Sequence, residues 1–415
     1  MELKFLGGCR EVGKSSILVD TGKEKFVMDH GIEVQEGHSP MQPPLNLDGV
    51  IITHAHLDHS GFVPGLYSRG YSGRTFATPA TFDLSHMLLE DSLKVQKKRG
   101  MQPGFSSQDI KRMGRREKIM NFNDPHEFGS STVELFSAGH IPGAAMVKIE
   151  SRGKNLLYTG DIKFINTDFM FGADTNVGEV HTLISESTYS YKNHPKRSEL
   201  KSKLLEIVES TCHNGGVTLL PAFAVGRTQE LLLMLKDIEF PIYVDGMGIR
   251  AADRMLSHPK SFLNAGKLRS ALDNAHCIRK NPERKEAVSQ PSVIITTAGM
   301  LQGGPVSFYI SRLAQRKDSS MVLTGYQVEG TAGRNLLETG VYDNGEMSVK
   351  PEFPIHFMDF SAHTDRDHLI KFYKELSPEK IILVHGDRTQ EFAEEMKEQH
   401  GFDAVAPANG DTLSV

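Results

Sequence analysis

Cysteine is scarce in this chain. Cys9, Cys212 and Cys277 are the three in 415 residues, far apart and odd in number. That argues against a disulfide framework or a cysteine-built zinc site and fits a reducing cytoplasm. All three read as buried or incidental thiols. Long apolar runs are missing too. None approaches the roughly 18 residues that span a bilayer, so no membrane partner is expected. Met1-Glu2-Leu3-Lys4-Phe5 enters an apolar run at once, without the layout of a signal peptide. Positive charge is not in surplus. The formal net charge of −5 argues against a bulk electrostatic grip on nucleic acid. It leaves room for a local basic groove around an anionic substrate, and metal ions would add charge outside that count. No internal repeat or low-complexity linker stands out. At 39% hydrophobic and 24% charged residues the composition is that of a soluble globular protein. The length exceeds one ordinary core, so two domains are expected.

The first part is β-rich. Residues 2–6, 15–20, 25–29, 50–53, 132–137, 145–150 and 155–159 read as short strands between Gly-containing or charged turns, and 79–98 as a helix. The stretch 94–118 is strongly basic (Lys94, Lys97, Lys98, Arg99, Lys111, Arg112, Arg115, Arg116, Lys118). It reads as a solvated helical face or, more sharply, as a surface that helps hold a polyanion. From about 198 the pattern changes. Leu200, Leu204, Ile207 and Val208 follow helical spacing, and Val217-Thr218-Leu219-Leu220 reads as a buried strand. Helices near 227–236, 248–257 and 305–315 then alternate with strands at 241–244, 292–297 and 320–324. Such alternation predicts a parallel sheet covered on both faces. A helix near 365–376, the strand Ile381-Ile382-Leu383-Val384 and a helix near 389–399 close the chain. Leu231–Leu235 reads as core.

The densest chemistry lies in Thr53-His54-Ala55-His56-Leu57-Asp58-His59-Ser60-Gly61, directly after the apolar run Val50-Ile51-Ile52. Three imidazoles and a carboxylate occupy six positions where a strand runs out into a loop. Residues i and i+2 of extended backbone point the same way, so His54 and His56 can reach one metal ion. Once the loop turns, Asp58 and His59 can face a second. Imidazole and carboxylate suit zinc. A solvated, His-rich loop is the plain alternative. Three later residues weigh against it: His140 in Ala138-Gly139-His140-Ile141-Pro142-Gly143, Asp161 in Tyr158-Thr159-Gly160-Asp161, and His385 in Leu383-Val384-His385-Gly386-Asp387. Each ends a strand beside a glycine that lets the backbone turn. Singly they are ordinary polar loop residues; together they complete a metal site.

Asp29, His54-His56-Asp58-His59, His140, Asp161 and His385 resemble the ordered ligand motifs of the metallo-β-lactamase fold. The resemblance implies an α/β protein, an αββα sandwich with two Zn2+ along one edge. His54, His56 and His140 would hold one ion, and Asp58, His59 and His385 the other. Asp161 would bridge them, while Asp29 would orient ligands through hydrogen bonds. His30 reads as a surface residue or a supporter of the ligands. Over 200 residues separate Asp161 from His385. They include Ser185-Glu186-Ser187-Thr188, Pro221-Ala222-Phe223-Ala224-Val225-Gly226-Arg227-Thr228-Gln229-Glu230-Leu231, Thr297-Ala298-Gly299-Met300-Leu301-Gln302-Gly303-Gly304 and Gly325-Tyr326-Gln327-Val328-Glu329-Gly330-Thr331; Phe360-Ser361-Ala362-His363-Thr364-Asp365 follows. These strings resemble the β-CASP nucleases, in particular the branch of the cleavage-and-polyadenylation specificity factor endonuclease and its archaeal relatives. The chain resembles the short archaeal form, for which neither a KH-type RNA-binding region ahead of the sandwich's first strand nor a long extension past 415 is expected.

The resemblance implies a first metallo-β-lactamase part at 1–187, an inserted β-CASP domain with a parallel sheet flanked by helices at 188–355, and a second metallo-β-lactamase part at 356–415. It implies a zinc-dependent ribonuclease of RNA processing or decay. Such an enzyme hydrolyses phosphodiester bonds of single-stranded RNA between the domains, by endonucleolytic or 5′-to-3′ exonucleolytic action or both. The family's added motifs map onto Glu186, His363 and His385. With Asp58, His363 and Glu186 form the catalytic set: His363 protonates the leaving ribose 3′-oxygen and Glu186 holds that imidazole. Arg227 and the loop with Thr297 and Gly299 precede predicted helices and are expected to bind RNA phosphates, with Arg334 a further candidate. A homodimer and partners from an RNA-processing or decay complex are compatible with the resemblance.

Overall fold

The computed structural model describes residues 1–415, which form two compact units. Unit 1 comprises Met1–Asn166, Phe171–Asn193 and His363–Val415; unit 2 comprises Thr167–Met170 and His194–Ala362.

Unit 1 is built on two seven-stranded sheets. The first runs in the spatial order Thr412–Ser414, Glu2–Gly7, Ser16–Asp20, Lys25–Met28, Gly49–Ile51, Thr75–Ala77 and Glu117–Ile119. The second runs Ala404–Val405, Lys380–Val384, Thr182–Glu186, Lys154–Tyr158, Ala145–Ser151, Ser131–Ser137 and His126–Phe128. Alternation of side chains along a strand decides the layers. Phe26, Met28 and Ile51 point into a core shared with Val133, Val147, Leu156, Ile184 and Ile382 of the other sheet. Their neighbours Val27, Val50 and Ile52 point the opposite way, onto Val63, Leu66, Leu89 and Met113 of the covering helices. Both faces of these strands are therefore buried, which explains why Val50-Ile51-Ile52 is apolar without a break. Helix Pro79–Lys98 starts on Thr78, whose side chain accepts from the Thr81 amide, with Pro79 in the first turn. It buries Phe82, Leu89 and Leu93. Cutting such a leucine to alanine would cost about 2–5 kcal/mol.

Unit 2 holds a six-stranded sheet in the order His276–Ile278, Ile242–Asp245, Ser292–Thr296, Val217–Pro221, Ser320–Leu323 and Ile355–Phe357. Every pair is parallel. Val217, Leu219, Ile294, Met321 and Leu323 pack with Val306, Ile310 and Leu313 of helix Pro305–Leu313. Helix Arg227–Leu235 is buried along its whole length, its leucines included.

The sequence reading passes over strand Thr182–Glu186. Its polar residues interrupt any apolar alternation, and pairing decides the conformation: Thr182–Ile184 align with Leu156–Tyr158 on one side, and Thr182–Glu186 with Lys380–Val384 on the other, both in parallel.

Candidate metal centre

Strand ends converge on one edge of the unit 1 sandwich. Asp29 follows Lys25–Met28 and His54 lies just past Gly49–Ile51, which is its parallel neighbour. On the facing sheet His140, Asp161 and His385 follow Ser131–Ser137, Lys154–Tyr158 and Lys380–Val384, while Glu186 ends its own strand. Asp58 and His59 ride on the single turn Leu57–Ser60. Asp29 and His385 have φ of 56° and 49°, left-handed backbone that costs about 1–3 kcal/mol each for such residues. Held there by bonds from their amides to Ile51 O (2.8 Å) and Gly8 O (2.7 Å), they turn back over the sandwich edge. At Gly160 a Cβ would stand 2.9 Å from Thr53, so glycine lets the Asp161 loop close on the histidine loop.

Two donor sets result, sharing Asp161. In the first, His54 Nε2 and His140 Nε2 lie 3.2 and 3.0 Å from His56 Nδ1, and each is 3.5 Å from Asp161 Oδ2. Four ligands placed tetrahedrally about zinc at its usual bond length stand about 3.3 Å apart, so these spacings fit one ion. The second set is wider. Asp161 Oδ1 is 3.2 Å from His59 Nε2, and Asp58 Oδ2 is 3.4 Å from His385 Nε2 and 4.0 Å from His59 Nε2. Asp161 Oδ1 is buried without a hydrogen-bond partner, an expense that a cation between the sets removes.

The outward ring nitrogens are held. His59 Nδ1 donates to Asp29 Oδ2 at 2.7 Å, which leaves Nε2 with its lone pair toward the site. Asp29 is itself held by the Thr53 amide (2.7 Å), the Thr53 hydroxyl (2.9 Å) and the Tyr158 hydroxyl (3.1 Å). The Thr188 hydroxyl donates to the His385 carbonyl at 3.1 Å and sits 3.2 Å from His385 Nδ1. Thr53, Tyr158 and Thr188 are the supporting residues that motif reading missed. Their one signal is adjacency to the motifs, since an orienting hydroxyl has no spacing rule. His30 is buried rather than on the surface, with Nδ1 2.9 Å from Ser16 Oγ.

Burial, helped by the charge on His59, pushes His54 well below the ordinary imidazole range, and burial also lowers His56. Neutral imidazole is the ligand form. Burial opposes the charge on Asp161, yet His385, His59 and His363 outweigh it and hold its carboxyl well below the carboxylate range. Burial likewise opposes a charge on His59, but Asp161 and Asp29 raise it well above its usual range. The carboxylates thus favour positive charge here, which a metal cation supplies.

His363 and Glu186 flank the shared aspartate. His363 Nδ1 lies 2.9 and 3.1 Å from the Glu186 oxygens, and Nε2 is 3.9 Å from Asp161 Oδ2. Glu186 also accepts from the Ile162 amide (2.8 Å) and the Thr188 amide (3.3 Å), which fixes the carboxylate in place. Burial works against protonated His363, but Glu186 and Asp161 outweigh it and lift the imidazole to about 9.

The four expected phosphate contacts lie in unit 2, at the C-terminal ends of its parallel strands. Thr297 and Gly299 share one loop, and the Gly299 carbonyl accepts from Gln327 at 3.0 Å. Arg334 is exposed, three residues into helix Ala332–Thr339, and pairs with Glu338. Arg227 opens helix Arg227–Leu235 but is buried and ion-paired with Glu230, which also holds Arg197.

The comparisons follow the same division of labour. Residues 9–197 match the metallo-beta-lactamase superfamily, 228–336 the Beta-Casp domain, and 346–407 the Zn-dependent metallo-hydrolase RNA specificity domain. The probable RNase MJ4 of Methanocaldococcus jannaschii is 35% identical over the whole of both chains. The chain belongs to the β-CASP family of the metallo-β-lactamase superfamily. Another relative, RNase aCSPSF2 of Saccharolobus solfataricus, is 33% identical across all of this chain and 85% of its own. The transcription termination factor FttA of M. jannaschii is 34% identical across all of this chain and 72% of its own. A crystal structure of a protein of unknown function from Enterococcus faecalis V583 matches with a TM-score of 0.66 over 99% of each chain at 14% identity, which shows a shared fold. As a β-CASP metallo-hydrolase the chain binds metal, and the histidine–aspartate cluster is the set of residues suited to hold it.

Proposed function

We propose that this protein holds two zinc ions and hydrolyses single-stranded RNA with His363 as the proton donor. It is a metal-dependent ribonuclease of the β-CASP family, in keeping with its RNase-named relatives and its RNA specificity domain. The observation that carries the finer reading is the pair of donor sets sharing Asp161, with His363–Glu186 beside them. His54, His56 and His140 would hold one ion and Asp58, His59 and His385 the other, with Asp161 common to both sets. When bound, such a metal pair supplies an activated water near neutral pH and neutralises charge developing on the phosphoryl oxygens. The protein's own groups do the rest. Asp29 keeps the His59 lone pair aimed at the site. Glu186 keeps a proton on His363, and that proton passes from Nε2 to the departing ribose 3′-oxygen. The products are a 3′-hydroxyl on the upstream fragment and a 5′-phosphate on the downstream one. Arg227, Thr297, Gly299 and Arg334 are the candidates for holding flanking phosphates. Three unpaired thiols support a cytoplasmic setting.

Metal analysis of the purified protein tests the assignment, together with cleavage of single-stranded RNA before and after chelation. Two zinc ions per chain, with activity lost on chelation and restored by zinc, is the expected result. One ion per chain, or cleavage that survives chelation, overturns it.

A further inference from the structure

We propose that Tyr191 and Arg388 form a nucleotide subsite for the RNA substrate, beside the proton donor on the leaving-group side, where Tyr191 stacks a base and Arg388 meets a phosphate. This rests on the ribonuclease reading above.

A row of rings leads away from His363. Its imidazole centroid lies 6.2 Å from that of Tyr189, and Tyr189 lies 6.1 Å from Tyr191 with the ring planes 17° apart. These two steps place Tyr191 no further than about 12 Å from the proton donor. Tyr189 is buried, whereas Tyr191 is 42% exposed. Positive charge attends the row. The Arg388 guanidinium lies 4.9 Å from the Tyr191 centroid, and Lys192 Nζ is 4.9 and 5.8 Å from the Tyr189 and Tyr191 centroids. The Arg388 side chain is 58% exposed and 4.0 Å from Glu391, a spacing that leaves it available to an anion.

The platform is also fixed in place. Asn193 Nδ2 donates to Asp367 at 2.7 Å and its Oδ1 accepts from the Asp367 amide at 3.0 Å, while the Arg366 amide donates to the Lys192 carbonyl at 3.2 Å. These bonds tie the tyrosine segment to the start of helix Arg366–Leu376. Arg388 comes three residues after His385, so the metal site anchors its other side. Rigid aromatic rings flanked by cations are the elements with which proteins hold single-stranded RNA irrespective of sequence. The ring row starts at the group that protonates the leaving oxygen, so the base it holds belongs to the nucleotide upstream of the scissile bond.

Steady-state cleavage by the zinc-loaded full chain tests this, using single-stranded RNA with one defined cleavage position. Tyr191→Ala is expected to raise KM about tenfold with little change in kcat, while Tyr191→Phe keeps the wild-type KM. An RNA lacking one base upstream of the cut should lose about as much with the wild-type protein and no more with Tyr191→Ala; removing a downstream base should not show this cancellation. Arg388→Ala should lower the salt-dependence slope of binding by about one. If Tyr191→Ala leaves KM unmoved in an active enzyme, or if the effects of residue and base removal simply multiply, the subsite is refuted while the ribonuclease reading stands. A zinc-loaded wild-type protein that cuts no RNA refutes both.

Discussion

Replacing Glu186 by glutamine removes a charge and leaves the shape. The His363 imidazole sits 2.9 and 3.1 Å from the two Glu186 oxygens and owes its rise to about 9 first to that carboxylate and then to Asp161, both acting against burial. An amide keeps the bond from Ile162 but holds no negative charge, so the imidazole falls toward its ordinary value of 6.5. The protonated form is the donor, and it is lost as pH rises through the pKa. Wild type therefore keeps the donor protonated to higher pH than the variant, so its rate should exceed the variant's by about tenfold or more on the alkaline side while the two converge on the acid side. Bound metal cations shift both curves toward lower pH together, so the divergence survives and moves with them. The assay is kcat for cleavage of a short single-stranded RNA from pH 5.5 to 9 at saturating zinc, with metal content measured for both proteins. A Glu186→Gln to wild-type ratio that stays constant across that range, with zinc retained, would refute the coupling of Glu186 to the proton donor.

Removing the donor itself, His363→Ala, should cost about 10²–10⁴ in kcat with zinc content unchanged; loss of zinc instead would make His363 a ligand. Asp29→Asn should weaken metal affinity about 10–100-fold by releasing the His59 ring, measured by competition with a chelator. Glu24 anchors unit 1 by accepting from the Ser130 amide at 2.9 Å and the Ser131 hydroxyl at 2.7 Å; burial opposes its charge, but these bonds and Thr21 lower it to about 2. Its stabilisation is therefore complete above about pH 4.5 and fades as pH falls toward 2. Glu24→Gln should lose about 2 kcal/mol at neutral pH and flatten that acid limb, as read from denaturant unfolding at several pH values. RNA labelled at either end separates the modes of action: a ladder of internal fragments marks endonucleolytic cutting, and release of a labelled 5′ mononucleotide marks 5′-to-3′ exonucleolytic cutting.

Several of these residues are legible from the chain alone and others are not. His54 to His59 announce themselves because four ligand-type side chains fall within six positions after a buried strand. His140, Asp161 and His385 carry a weaker signal, each a single polar residue beside a glycine. Thr53, Tyr158 and Thr188 carry none, because a hydroxyl that steadies a ring is indistinguishable in sequence from any strand-end hydroxyl. Strand Thr182–Glu186 was hidden for a related reason: it is stabilised by neighbours on both sides, so its own residues need not alternate. Arg227 is half legible: its place at a helix start is written in the sequence, whereas its sharing of Glu230 with Arg197 is not.

The chemistry is written along the chain: imidazoles and carboxylates at strand ends, strands apolar enough to bury both faces, and an alternating second unit. Local spacing and side-chain chemistry act over a few residues, so they are written in order along the chain. Convergence, by contrast, comes from the folded sheet. Asp161, Glu186 and His385 come together because three parallel strands pair in one register, Tyr158 beside Ile184 and Glu186 beside Val384. That register joins residues up to some 220 positions apart through hydrogen bonds that no local stretch of sequence contains.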